Sequence, residues 1–219
     1  MRVAFEKHLS GIEKEMYTMA EMVTTAVGRS VDALKERDVE KAAKVKAGDK
    51  QINDKRWEIE DKCINLIATQ QPVAKDLREI IAVLNIITDL ERMGDYAAGI
   101  AKIVIRLNGE PPVKPLIDIP RMAAISIEMI NKALAAYSER DDKEARAISA
   151  KDDEVDELYH QVHRELISIM IEKPGTITRC TYLIWTAHNL ERIADRVTNI
   201  CERIIYLVTG EMVENVEKS

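Results

Sequence analysis

The chain has 219 residues, with 32 basic and 38 acidic side chains, three cysteines and only nine aromatic residues (one Phe, six Tyr and two Trp). A chain of this length can bury about 70% of the surface that it exposes when unfolded, enough for one large domain or two small ones. The formal net charge of -6, with both signs interspersed, disfavours a nucleic-acid-binding protein.

The cysteines and the N-terminus predict a cytoplasmic protein. Cysteines are few, odd in number and form no Cys-x-x-Cys pair, which favours a reducing compartment and argues against a zinc ribbon. Charged residues at Arg2, Glu6 and Lys7 occupy the positions where a signal peptide needs its apolar core. The longest apolar run, residues 80–87, is interrupted by Asn85, so we expect no membrane-spanning segment.

Proline positions divide the chain into long helices. Proline occurs at residue 72, in the cluster 111–120 and at residue 174. The stretches between are rich in Ala, Ile, Leu, Glu, Lys and Met, which predicts an all-α protein. Polar patches at 35–39 and 138–142 predict two further breaks. The six predicted helices cover residues 4–36, 39–70, 73–108, 117–139, 142–172 and 176–208.

The two halves of the chain repeat. Arg37-Asp38 and Asp49 recur as Arg140-Asp141 and Asp152 at an offset of 103, and the segment 90–95 recurs as 190–195 at an offset of 100. The offset falls by three because the turn before the third helix is three residues shorter in the second half. The sequence therefore predicts two tandem, pseudo-symmetric three-helix bundles, residues 1–110 and 111–219, joined through the proline-rich segment 109–120.

Acidic side chains interrupt the predicted inner stripe of four helices. In the third helix this stripe runs through Leu77 and Ile81 to the acids, and in the sixth it starts at Ile177. Counting residues from the connecting turn places the acids of neighbouring helices at one height in the first half and within about half a turn in the second. The predicted clusters are Asp49, Asn53, Glu91 and Asp95 in the first bundle, and Asp152, Asp156, Glu191 and Asp195 in the second.

A bound metal ion would compensate the repulsion within each cluster. Arg92 and Arg192 follow the two glutamates, but a helix turns about 100° per residue, so we expect them to point away. Oxygen ligands favour Mg²⁺, Mn²⁺, Ca²⁺ or iron, and a neighbouring imidazole favours iron or zinc. Whether His163 or His188 supplies that imidazole is left open. The alternative is a helical scaffold with ordinary solvated acids.

Other chemistry is weakly represented. The spacing Glu157-x-x-His160 is typical of ferritin-like di-iron bundles, but the chain has only one such pair where two are needed. A metal-storage or metal-oxidising bundle is therefore the second hypothesis. The sequence has no glycine-rich phosphate loop, Walker lysine or nucleophile elbow, so we expect no enzymatic activity.

The repeated motifs resemble those of the PhoU family of phosphate-signalling regulators, and the resemblance covers nearly the whole chain. In the first half it rests on the segments Gly48-Asp49-Lys50-Gln51-Ile52-Asn53, Gln71-Pro72, Asp76-Leu77-Arg78 and Asp89-Leu90-Glu91-Arg92-Met93-Gly94-Asp95. In the second half it rests on Asp152-Asp153-Glu154-Val155-Asp156-Glu157-Leu158-Tyr159 and Asn189-Leu190-Glu191-Arg192-Ile193-Ala194-Asp195.

The resemblance implies a cytoplasmic, often homodimeric, metal-binding protein that negatively regulates phosphate uptake. The implied partners are the ATPase of the high-affinity phosphate ABC transporter and a membrane sensor histidine kinase, with the membrane reached only through them. The family's metal positions fall on the acids of both clusters, whereas Asn53 and Ala194 depart from the pattern. The first cluster carries three acidic side chains and the second carries four, so their formal charges are -3 and -4. The larger charge predicts tighter metal binding in the second cluster. Since no donor-rich anion pocket is evident, we expect no direct sensing of phosphate.

Overall fold

The computed structural model describes residues 2–213, except for the side chains of residues 2 and 3. This part of the chain forms seven α-helices, one 3₁₀ turn and no strand. The helices are α1 (Arg2–Glu36), α2 (Val39–Gln70), α3 (Lys75–Leu107), α4 (Asp118–Glu139), α5 (Asp142–Ala150), α6 (Asp152–Glu172) and α7 (Ile177–Thr209), with the 3₁₀ turn at Pro174–Thr176. The all-α prediction is confirmed, and every predicted helix is present. The fifth predicted helix is divided at Lys151 into α5 and α6.

The repeated Arg-Asp pair forms the turn that separates the first two helices of each half. Arg37 and Arg140 adopt left-handed backbone conformations, with φ of 58° and 56°, which end the preceding helix. Asp38 then caps α2 by accepting a hydrogen bond from the Lys41 amide at 2.8 Å. Asp141 caps α5 in the same way. Local capping chemistry therefore explains why this dipeptide recurs at the repeat offset.

The helices α3 and α7 form the centre of the molecule. They run antiparallel, since Gly99 of α3 approaches Asn189 of α7 while Arg78 lies 5.7 Å from the Tyr206 ring. The helix α2 packs on α3, and α5 and α6 pack on α7. On the other side, α1 packs against α2 and α3, α4 packs against α5, α6 and α7, and α1 contacts α4.

The buried side chains of both halves join in one hydrophobic core. The predicted stripes of the first, second and fifth helices point into it, as shown by buried Met16, Ile52 and Val155. All three cysteines are buried and free. The boundary at residue 110 stays a prediction. No helix within residues 2–213 has the length and apolar character that crossing a membrane requires.

The predicted inner stripes of α3 and α7 are wrong by about one position. Leu77, Ile81 and Ile177 are exposed, whereas Ile80, Val83 and others one position along are buried. Because each of these helices is contacted on several sides, apolar residues cover most of its circumference. The acids therefore lie in the seams between neighbouring helices rather than in the core.

Candidate functional site

The first acidic cluster lies in the seam between α2 and α3. Gly94 brings the two helices together, since a Cβ atom at this position would lie 3.1 Å from Ile52 Cδ1 and 3.7 Å from Asp49 Oδ1. The side chain of Glu91 is 16% exposed and that of Asp95 is 40% exposed. The cluster is thus open to solvent at Asp95 and enclosed at Glu91, at the equal height that residue counting predicts.

The carboxylates of this cluster act on one another. Burial, followed by the charge of Asp95, raises the pKa of Asp49, and Lys102 opposes that shift. Burial and then Asp95 likewise raise the pKa of Glu91, against the opposing charges of Arg92 and Arg56. Both shifts have the direction expected when carboxylates share a partly desolvated seam. The structure thus brings Asp49, Glu91 and Asp95 within electrostatic reach of each other.

The second cluster links α6 to α7 through Glu191. Burial, followed by the charges of Asp195 and Asp156, raises the pKa of Glu191 to about 7, while Arg192 opposes the rise. Asp152 is buried at the start of α6 and acts electrostatically on Cys201. Burial, with smaller contributions from Glu202 and Asp152, raises the pKa of that thiol to about 12. The structure therefore brings Asp156, Glu191 and Asp195 within electrostatic reach of each other.

The arginines beside the glutamates do not point away, contrary to the expectation from helix rotation. Arg92 lies 3.3 Å from Asp95 and 3.5 Å from Glu91, and Arg192 lies 2.8 Å from Asp195. The spacing Arg-x-x-Asp, which puts the two partners three positions apart on one helix, is the signal that predicts these pairs. The arginine on the same helix therefore neutralises part of the negative charge of each cluster, so a metal ion is not the only possible source of positive charge.

Several cluster oxygens nevertheless lack a hydrogen-bond partner among the described residues. Asp49 Oδ1, Asn53 Oδ1 and Glu191 Oε2 are buried and unsatisfied in this way. Unpartnered oxygens of this kind suit a hard cation. Within residues 2–213, however, no three His, Cys, Asp or Glu side chains are arranged to hold a metal ion. The donor set fits a metal only if the partly exposed carboxylates change rotamer.

Three of the four histidines lie around Tyr159 on α6. The ring centroids of His163 and His188 lie 6.0 Å and 6.1 Å from that of Tyr159, and His160 lies at 5.6 Å. Glu157 and His160 are both exposed, so this pair does not point into a bundle core as a di-iron site requires.

Sequence reasoning missed a buried polar network between α3 and α7. Asp89 is only 8% exposed and accepts hydrogen bonds from Arg196 at 3.4 Å and Asn199 at 3.3 Å. Tyr96 lies close to Arg192 and Arg196 and favours the charged form of both. The available signal was Asp89 itself, an acid in the mostly apolar run 80–90 that has an amide, Asn189, at the repeat position. The hydrogen bonds from Arg196 and Asn199 could not be predicted without knowing that α3 of the first half packs against α7 of the second.

Exposed apolar side chains extend the same seams away from the acids. Ile64 and Leu77 are exposed on α2 and α3, and their repeat equivalents Ile167 and Ile177 are exposed on α6 and α7. Trp57 on α2 is 61% exposed. Large exposed apolar groups that recur at matched positions indicate contact surfaces. We call the surface formed by Trp57, Ile64, Leu77, Ile81, Glu91 and Asp95 the first seam face. The second seam face is the corresponding surface of α6 and α7, with Ile167, Ile177, Glu191 and Asp195.

Comparison with known proteins identifies the fold and its lineage. The PhoU domain matches the chain twice, at residues 16–104 and 119–204. The chain belongs to the PhoU family. It is 40% identical over 214 residues to the phosphate-specific transport system accessory protein PhoU homolog of Clostridium acetobutylicum, covering 97% of this chain and 98% of the relative. The homolog of the same description from Aquifex aeolicus is 41% identical over 209 residues, covering 95% of each chain.

Two crystal structures of PhoU proteins share the architecture. The phosphate transport system regulatory protein PhoU from Streptococcus pneumoniae superposes with a TM-score of 0.89 at 32% identity, covering 96% of this chain and 99% of the other. PhoU from Pseudomonas aeruginosa gives 0.90 at 34% identity, covering 94% and 100%. The predicted family and the predicted fold, two tandem pseudo-symmetric three-helix bundles of PhoU type, are both confirmed.

Proposed function

We propose that this chain is a non-enzymatic accessory protein of a phosphate-specific transport system and negatively regulates phosphate uptake through protein contact in the cytoplasm. Relatives that match it over nearly their whole length carry the description of such an accessory protein. The observation that carries the contact mechanism is the recurrence of an exposed apolar and acidic face in both halves. Such a face suits a partner that offers apolar side chains and basic groups.

The two seam faces combine the parts of a protein interface. Apolar groups such as Leu77 and Ile81 supply contact area, and Asp95 lies further along the same side of α3 with its carboxylate partly open to water. Burial of the apolar groups favours association at about 25 cal/mol per Å², and the carboxylates select basic partners. We infer that the ATPase of a phosphate ABC transporter and a sensor histidine kinase are the partners, each engaged by one copy or by a homodimer.

Metal binding would rigidify these faces. The residues that would hold the ion are Asp49, Asn53, Glu91 and Asp95 in the first seam, and Asp152, Asp156, Glu191 and Asp195 in the second. We propose iron or zinc as the ion, with manganese, magnesium and calcium as further candidates. The ion would neutralise repulsion between carboxylates and so fix adjacent helices to each other. The larger negative charge of the second cluster predicts tighter binding there, so Glu191→Ala should cost more metal affinity than Glu91→Ala.

The experiment compares partner binding by metal-loaded and metal-free protein. Purified transporter ATPase is titrated with the chain in the presence of iron or zinc and again in the presence of a chelator. We expect the double substitution Asp95→Asn and Asp195→Asn to weaken binding at least tenfold while the melting temperature stays within a few degrees. The control is Asp32→Asn with Asp61→Asn, which removes two exposed carboxylates from α1 and α2.

Two results would overturn the proposal. If the Asp95 and Asp195 double variant binds the ATPase as tightly as the control variant does, the seam faces are not part of the interface. If the protein binds the ATPase equally well with and without metal, the ion has no role in the regulation. Oxygen-dependent oxidation of ferrous iron by the purified protein would instead support the ferritin-like hypothesis, which the outward position of Glu157 and His160 disfavours.

A further inference from the structure

A groove outside both acidic clusters opens where α3 and α7 meet. Its volume is about 260 Å³, and it is lined by Gly99, Lys102, Ile103, Arg106, Trp185, His188 and Asn189. The close approach at its base depends on Gly99, because a Cβ atom there would lie 3.3 Å from Asn189 Nδ2. The groove is therefore lined by residues that carry an ammonium group, a guanidinium group, an amide, an imidazole and an indole.

The lining carries hydrogen-bond donors and no carboxylate, although the chain has 38 acidic residues. Lys102 and Arg106 lie four residues apart on α3, and both are exposed. Within residues 2–213, neither is paired with a carboxylate at ion-pair distance. The acid that Lys102 influences is Asp49, whose pKa rise from burial and from Asp95 it opposes. Two cations are thus presented together, with Asp49 acting on Lys102 only beyond ion-pair distance.

The equivalent position in the other half has different chemistry. At the repeat offset of 100, Lys102 corresponds to Glu202, Arg106 to Tyr206 and Asn189 to Asp89. Asp89 is buried and already bonded to Arg196 and Asn199. The related position in the other half therefore carries two carboxylates, Asp89 and Glu202, where the lining of this groove carries none.

We propose that the groove between α3 and α7 binds a phosphoryl anion through Lys102, Arg106 and the Asn189 amide. A phosphate carries between one and two negative charges near pH 7 and accepts several hydrogen bonds, which matches an arginine fork beside a lysine. Trp185 at the rim offers a surface on which a nucleoside base can stack. Inorganic phosphate and a nucleotide such as ATP share this chemistry, and the test separates them. The sequence predicted no such pocket because its donors come from two helices more than 80 residues apart.

The test measures binding to the full chain by the fluorescence of Trp185. In a Trp57→Phe background, Trp185 is the remaining tryptophan. We expect saturable quenching or enhancement by inorganic phosphate, by ATP, or by both, with an affinity that falls as salt rises. Response to phosphate identifies the free ion as ligand, whereas response to ATP with none to phosphate identifies a nucleotide. Absence of saturable binding for both probes overturns the proposal.

Variants decide whether the groove is responsible. Lys102→Ala with Arg106→Ala should weaken binding at least tenfold, and Arg106→Gln alone should weaken it severalfold with less risk to folding. The matched control is Lys7→Ala with Lys14→Ala, which removes two exposed cations from α1. Calorimetry repeats the titration without the tryptophan reporter, and melting curves show that each variant is folded. Unchanged affinity in the groove variants, or equal loss in the control, overturns the assignment.

Discussion

Replacing Glu191 by glutamine should stabilise the metal-free protein at pH 8 and leave its stability nearly unchanged at pH 4. The pKa of this carboxyl rises from 4.5 to about 7 because of burial and then of the charges of Asp195 and Asp156. The folded protein therefore retains a proton that the unfolded chain has lost. The stability from this proton is fully present below pH 4.5 and is lost as the pH rises through about 7. Glutamine imitates the protonated form at every pH.

The magnitude follows from the size of the shift. At full strength a rise of this size costs about 3.4 kcal/mol once the carboxyl is ionised in the fold. Because Glu191 is only partly shielded from water, we reduce the expected gain at pH 8 to about 1 to 2 kcal/mol. For a chain of this length, that corresponds to an increase of about 2 to 8 °C in melting temperature.

The assay is thermal unfolding in a chelating buffer at several values between pH 4 and pH 8. The difference between Glu191→Gln and the unmodified protein should grow as the pH rises from 5 to 8. The control Glu157→Gln removes an exposed carboxylate of α6 and should show a small difference that varies little with pH. If the Glu191→Gln difference is the same at pH 5 and pH 8, the carboxyl is not held protonated by its seam, and the electrostatic account of the second cluster is wrong.

Two further predictions concern the packing of the helices around the seams. Asp89→Ala should lower the free energy of unfolding by about 2 to 4 kcal/mol, because Arg196 and Asn199 both lose their acceptor in a partly buried interface; a loss below about 0.5 kcal/mol by urea denaturation would be typical of an exposed pair instead. Gly94→Ala should lower it by about 1 kcal/mol, because the new methyl group forces Ile52 to move. Gly48→Ala has no atom within 4 Å of its new Cβ and should raise it by about 0.5 to 1 kcal/mol through helix propensity; equal effects of the two alanines would contradict the close approach at Gly94.

Helices and their ends could be predicted because the signals are local. Proline positions and the repeated Arg-Asp pair act within a few residues of the break that they cause. The left-handed Arg140 and the Asp141 cap show this directly. The division at Lys151 was not predicted, because the residues around it carry neither proline nor glycine.

The orientation of α3 and α7 could not be predicted to the same accuracy. An amphipathic pattern identifies a buried face when the other faces are polar. In α3, buried residues include Ile80, Ala82, Val83 and Ile103, which at about 100° per residue spread over more than half of the helix circumference. Several stripes of residues spaced three and four apart along α3 are therefore equally apolar, and the sequence does not distinguish them. The stripe through Leu77 faces the seam rather than the core. The network around Asp89 depends on a contact 107 residues away, which one sequence alone does not reveal.

The repeat also explains why the two kinds of candidate site differ in number. The seam acids are retained in both halves, because each seam is formed within one half by helices that the duplication copied together. The contact between α3 and α7 is formed between halves, so its two ends could diverge independently. At one end Asp89 is neutralised by Arg196, and at the other Asn189 occupies the corresponding position beside Lys102. A cation that binds the seams would therefore meet two similar sites, whereas a phosphoryl anion would distinguish one end of the central helix pair from the other.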